Sequence, residues 1–277
     1  FPYTTLFRSE VPTDLFFVEE KPNDRKVSFS EDKDKVVISG TDFSYVINKS
    51  TAELSSLQFK GTEYLESGPV FNVWRAPTAN DLDPWGSYMF SSDNRTPGYG
   101  RSIDNQLRTL GMRDLVTQVD EVKVIQRNEK EVKVRMRVFS SSSLPANRRL
   151  NWGGFFSAFE RKETWTFSAS GKIDLEQEII PHGPMPDMLP KIGLQFELPK
   201  AFSAVEYYGR GPFENYPDRK TGAKVSWYHS TADSMYVPYI IPQDYGNRTD
   251  VRWLKVENNE GKGLLIKGGD WLNFSLH

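Results

Sequence analysis

The chain has 277 residues, with 35 Lys plus Arg against 37 Asp plus Glu and a formal net charge of −2. That balance carries no electrostatic footprint for nucleic acid or an anionic membrane, and no apolar run approaches the ~20 residues a membrane helix needs. There is no Cys; this excludes disulfides, thiolate metal sites and a Cys nucleophile, and leaves both a reducing cytoplasm and a disulfide-free periplasm open. Hydrophobic residues are 38% and aromatics 13%, so Phe, Tyr and Trp carry much of the core or of a sugar-facing surface.

The first nine residues, Phe1 to Ser9, read like the translation of a sequencing-library adapter and are set apart from a domain over 10–277. On that reading the chain is a fragment; the alternative is an aromatic edge strand. Strand signals then follow in chain order. Lys26–Ser30 and Lys35–Ser39 flank the polar run Glu31–Asp34, the pattern of a hairpin. Phe43–Ile47 and Leu54–Phe59 repeat it around Asn48–Ser50, Gly61 marks a turn, and Tyr64-Leu65 open another strand. Ile103, Leu107, Leu110 and Leu115 approximate helical spacing, with Gly111 as a cap.

The clearest alternation is Glu131–Val138. Val132, Val134, Met136 and Val138 point one way, and Lys133, Arg135 and Arg137 the other, as on a strand with one dry and one wet side. Thr164–Phe167 and Lys172–Ile179 behave alike. Trp253–Val256, Gly263–Ile266 and Trp271–Phe274 are three closing strands, with Trp165, Trp253 and Trp271 as core residues. Short strands at regular spacing predict an all-β antiparallel sandwich. Two long irregular stretches, Ala76–Gly100 and Gly209–Ala223, predict functional or interface-forming loops. Arg161-Lys-Glu163 reads as a solvated charge cluster, and Trp85 as a surface-contact candidate.

The most specific run is Gly209-Arg-Gly-Pro-Phe-Glu-Asn-Tyr-Pro-Asp-Arg219. Its glycines and prolines make a loop that turns several times. Arg219 can pair with Asp218 or Glu214, which would make the loop self-satisfied rather than ligand-binding. His182, His229 and His277 are far apart, have no metal-type spacing and read as structural, with His182 in a turn and His229 in an apolar setting.

Three runs together carry a resemblance: Phe71-Asn-Val-Trp-Arg-Ala-Pro-Thr-Ala-Asn-Asp81, the Gly-Pro-x-Glu-Asn-Tyr-Pro-Asp-Arg run ending at Arg219, and Met235-Tyr-Val-Pro-Tyr-Ile-Ile-Pro-Gln-Asp-Tyr-Gly-Asn-Arg248. Their residues and order resemble the C-terminal small domain of the large family-2 β-galactosidases, from about Phe16 to the end. The resemblance implies a large, twisted supersandwich of the galactose-mutarotase-like type, incomplete at its C-terminus. It implies a retaining glycosidase whose two carboxyl groups, about 5–5.5 Å apart, sit in a separate barrel. Neither Glu214 nor Asp218 matches the family's catalytic motifs, so no catalytic, cofactor or metal residue is assigned here. Arg75, Pro77, Asn80 and Asp81, with Glu214, Asn215, Tyr216, Asp218 and Arg219, are expected to form structural or interdomain loops. The family also implies Mg²⁺, and Na⁺ in some members, held outside this chain; an aromatic for sugar stacking, on a loop beyond His277; the barrel of the same polypeptide as partner; and oligomeric parents. Two other classes stay open: an autonomous carbohydrate-binding module, and a mutarotase-like epimerase, against which the scarcity of His argues.

Overall fold

The computed structural model describes residues 25–82, 102–143 and 156–277, without the side chains of 269–271. The chain divides into two units: a larger one of Asp24–Pro199 with Tyr239–Asp244, and a smaller one of Lys200–Pro238 with Tyr245–His277. Both are built of antiparallel strands. Among the described residues, no helix is long and apolar enough to cross a membrane. The calls on Phe1–Ser9, on Trp85 and on the 83–100 part of the Ala76–Gly100 stretch fall outside the described residues.

In the larger unit, β1 (Ser28–Glu31), β2 (Lys35–Ser39), β3 (Phe43–Asn48), β4 (Glu53–Phe59) and β5 (Thr62–Glu63) form one sheet in chain order. A second sheet runs β10-β9-β8-β7 from β7 (Leu115–Arg127), β8 (Glu131–Ser142), β9 (Ala158–Ser168) and β10 (Ile173–His182). A separate pair joins β6 (Ser67–Asn72) to β11 (Gly193–Glu197). Sequence-adjacent strands pair because short polar turns join them. Several of these turns are closed by an Asx side chain. Asp32 Oδ1 accepts from the amides of Asp34 and Lys35, and Asn128 Oδ1 from those of Lys130 and Glu131.

The two large sheets face each other. Val36, Ile38, Tyr45, Ile47 and Leu54 of one pack with Val132, Val134, Met136, Val138, Trp165 and Phe167 of the other. This is the sandwich expected from the alternation. The four apolar β8 side chains are fully buried, each worth roughly 1.5–3 kcal/mol. On the wet side, Arg135 pairs with Glu121 at 3.0 Å, and Arg137 with Asp120 at 3.0 Å and Glu160 at 2.8 Å. The Tyr45 hydroxyl donates to the Gly171 carbonyl at 2.7 Å.

Several sequence expectations are corrected. The helix spans Ile103–Thr109, and Leu115 opens β7 instead of continuing it. Gly111 does end it: at φ 66 it lets the Met112 amide reach the Leu107 carbonyl at 2.9 Å, and Leu107 and Met112 are buried together. Tyr64 and Leu65 connect β5 to β6 rather than opening a strand. Arg161 and Glu163 are not solvated; they are buried and paired on the inward face of β9, and only Lys162 points out. Glu163 also accepts from Trp165 Nε1 at 2.9 Å and Gln177 Nε2 at 2.8 Å. The guanidinium of Arg161 lies 5.1 Å from the Phe71 ring centroid.

The smaller unit is one sheet in the order β13-β12-β14-β15, formed by β12 (Ala204–Gly211), β13 (Lys224–Thr231), β14 (Arg248–Glu257) and β15 (Gly263–Phe274). The two segments expected at Gly263–Ile266 and Trp271–Phe274 are one strand. The Trp271 side chain lies outside what is described. Gly209 and Gly211, expected to start a loop, are strand residues. A Cβ on Gly209 would fall 2.7 Å from Val251 Cγ2, so glycine serves close packing here, not a turn. Between the pairs Arg248↔Phe274 and Val251↔Leu272, β14 carries one residue more than β15. At this bulge Asp250 adopts φ 54.

Candidate functional site

The Gly209–Arg219 run leaves β12 through a cis peptide at Gly211-Pro212 and folds against the β14 bulge. Asn215 is its centre and is fully buried. Its amide nitrogen donates to the carbonyls of Arg210 (3.1 Å) and Phe213 (3.0 Å). Its amide oxygen accepts from the Thr249 amide (2.9 Å) and the Thr249 hydroxyl (2.6 Å). Two donors and two acceptor sites are thereby used, the whole capacity of the group. The main chain adds the Asn215 amide to the Asn247 carbonyl at 2.8 Å, and Asn247 Nδ2 to the Asn215 carbonyl at 2.7 Å.

Glu214 is buried beside it. One oxygen takes the Arg219 guanidinium and the other the Gly246 amide at 2.9 Å. Of the two partners open to Arg219 in the sequence, Glu214 is the one bonded. Arg219 also closes a short bridge with Tyr216, and its guanidinium lies 5.7 Å from that ring's centroid. Asp218 is exposed and takes no part in these bonds. Arg248 fastens the far side, donating to the Tyr207 hydroxyl (3.1 Å), the Gly246 carbonyl (3.0 Å) and the Pro212 carbonyl (2.8 Å). Asp250, turned by the bulge, receives Arg210 and Lys220. Burial works against its charge, yet the hydrogen bonds from Lys220 and Arg210 prevail and hold the carboxyl below its ordinary range.

The other loop belongs to the larger unit. Arg75 grips Asp81 through both guanidinium nitrogens, at 2.7 and 3.3 Å. Thr78 donates its amide (2.8 Å) and hydroxyl (2.9 Å) to the same carboxylate. This caps the helical turn Ala79–Leu82. Pro77 sits half-buried within it, and Asn80 is exposed. The Ala79 amide donates to Gln243 Oε1 at 3.2 Å, which ties the loop to the Tyr239–Asp244 segment. Lys191 sits near Asp244 and Arg75; burial and Arg75 lower its pKa against the opposing pull of Asp244. In that segment Ile240 and Ile241 stand open to solvent.

The expected site residues therefore gather into two groups: Glu214, Asn215, Tyr216 and Arg219 in one, and Arg75 with Asp81 in the other. In both, the acidic side chains are engaged by neighbouring Arg and backbone amides. Sequence reasoning missed Thr249, Asp250 and Gln243, the distant partners that lock these loops. Their signal was present only as proximity between quoted runs, since Asn215 and Thr249 are 34 residues apart.

The histidines differ from expectation in setting. His182 ends β10, exposed, with Nε2 3.2 Å from Glu160 Oε2. His229 is exposed on β13 instead of lying in an apolar setting, 3.5 Å from Glu206. Among the described residues, no group of three or more His, Cys, Asp and Glu is placed to hold a metal. Trp165 and Trp253 are core residues, as expected.

A family model described as β-galactosidase small chain matches residues 39–277. The chain is 31% identical over 242 residues to a β-galactosidase of Priestia megaterium, covering 87% of this chain and 20% of that protein. It is 29% identical over 232 residues to a β-galactosidase of Halalkalibacterium halodurans, with 83% and 20% covered. For a β-galactosidase of Vibrio cholerae the identity is 28% over 249 residues, with 90% and 22% covered. The chain thus spans about a fifth of the length of these relatives.

Proposed function

The chain belongs to the β-galactosidase small chain family, and from that premise we propose that it is a non-catalytic C-terminal domain of an enzyme that hydrolyses terminal non-reducing β-D-galactose residues. On this reading the parent is a family-2 retaining glycosidase whose acid/base and nucleophile lie on a separate barrel. The domain covers that barrel and helps to shape its sugar pocket.

One observation carries the proposal: the buried carboxylates of the two motif loops, Glu214 and Asp81, are committed to holding the loops. A nucleophile must be free to attack, and an acid/base must exchange its proton. Glu214 is held between Arg219 and the Gly246 amide, and Asp81 by Arg75 and Thr78. Loops this rigid suit an interface, and the exposed Ile240 and Ile241 offer apolar surface to a neighbouring domain. Mg²⁺, and Na⁺ where a member uses it, would be held by residues of the barrel, with no ligand assigned to this chain.

A nitrophenyl β-galactoside assay tests the reading. The purified chain gives no turnover above buffer, while the full-length polypeptide does. Turnover by the chain alone that disappears in Glu214→Gln would overturn it.

A further inference from the structure

The sheet of the smaller unit has two unlike faces. One carries Val205, Tyr207, Leu254 and Val256, all buried. On the other, antiparallel partners line up in rows, because residues opposite each other in register share a face. One row is His229, Glu206 and Lys255; the next is Trp227, Tyr208 and Trp253. Trp227, on the edge strand β13, is 46% exposed, while Trp253 at the other end of its row is fully buried.

The indole is held in place. Its Nε1 donates to Glu206 Oε1 at 2.7 Å. The His229 ring stacks beside it at 5.7 Å and 26°, and Trp253 meets it edge-on at 5.8 Å and 79°. An aromatic ring already fixed in this way has little side-chain entropy to lose when something lies against it. Each carboxylate around it has a partner. Glu206 is 3.5 Å from His229 Nδ1 and 3.9 Å from Lys255 Nζ, and Lys255 is 2.7 Å from Glu257. The row thus offers hydrogen-bond donors and acceptors without calling for a charged ligand.

A neutral polyol with one C–H-rich face satisfies both demands. We propose that this face is a carbohydrate-binding surface, on which a pyranose ring stacks on Trp227 and its hydroxyls bond to Glu206, His229 and Lys255. The site binds without cleaving. It does not rest on the roofing role proposed above, because it needs only this chain.

Calorimetric titration of the 277-residue chain with methyl β-galactoside, lactose and cellobiose tests it. The expected result is a Kd in the low millimolar range for at least one of these sugars, about 4 kcal/mol of binding. Trp227→Ala weakens it about tenfold or more, Trp227→Phe keeps most of it, and Glu206→Gln weakens it several-fold. Should the alanine variant fail to fold, proton–nitrogen spectra still decide. The indole resonance missing from Trp227→Phe is the one that moves when sugar is added to the unmodified chain. Absence of binding up to about 50 mM sugar, unchanged affinity in a folded Trp227→Ala, or movement confined to another indole would each overturn the proposal.

Discussion

Asn215 shows how a single side chain converts a polar sequence into a fixed shape. Every lone pair and N–H of its amide has a partner, and the partners come from Arg210, Phe213 and Thr249. No other residue of similar size supplies two donors and two acceptors in that arrangement. Asn215→Asp keeps the volume but turns an oxygen toward the carbonyls of Arg210 and Phe213. The expected cost is about 2–3 kcal/mol, since a buried charge would face acceptors in place of donors. Urea unfolding of the variant against the original chain measures it, and a loss under about 0.5 kcal/mol would contradict the account. Glu214 and Asp81 follow the same logic with charge added: each is buried, and each is engaged by a guanidinium and backbone amides. The sequence showed which residue types met in these loops. It did not show their partners, because Thr249 and Gln243 come close only once the strands have assembled.

At the level of whole strands, β8 and β9 differ instructively. The alternation of β8 was legible because its apolar residues and its charges fall on opposite faces. In β9 the inward positions are Phe159, Arg161, Glu163, Trp165 and Phe167. A periodicity argument counts Arg and Glu as wet whichever way they point, and so misplaces them. Burial of Arg161 disfavours its charge, opposed by the nearby Glu163 and Glu53. Glu163→Gln leaves that guanidinium buried without its paired carboxylate and should cost about 3–5 kcal/mol in chemical denaturation. Replacing both partners with Met should recover part of the loss, since no buried charge then remains. A single variant as stable as the parent would show that the pair contributes nothing. Strands β12 and β13 were invisible for another reason. Glycines at 209 and 211 signalled a turn, whereas the sheet uses them to admit Val251 and Tyr207 at close range. The helix was legible at its Gly111 end, where chemistry is local, and overextended toward Leu115, where apolar spacing alone could not separate the last turn from a new strand.

Across the whole molecule, family membership and the interior chemistry meet in antiparallel sheets whose loops are locked by their own buried side chains. If the cations of the parent belong to the barrel, removing them leaves this chain unaffected. Treatment with EDTA is expected to keep its Tm within about 1 °C. A cation bound at 100 times its Kd would add about 2.7 kcal/mol, a shift of several degrees. A drop of that size would place a cation site in this chain.

The segment Tyr239–Asp244 belongs to the larger unit, although both its flanks belong to the smaller. This interleaving matters during synthesis. Gln243 emerges from the ribosome about 44 residues after Pro199, roughly 2–9 s later at ordinary rates of translation. The loop gripped by Arg75 therefore waits, its Ala79 amide still bonded to water, while β12 and β13 are being made. Vectorial folding from the first residue to the last cannot complete one unit and then begin the other. Any split of this gene meant to yield two independent products would have to carry that hexapeptide across the cut.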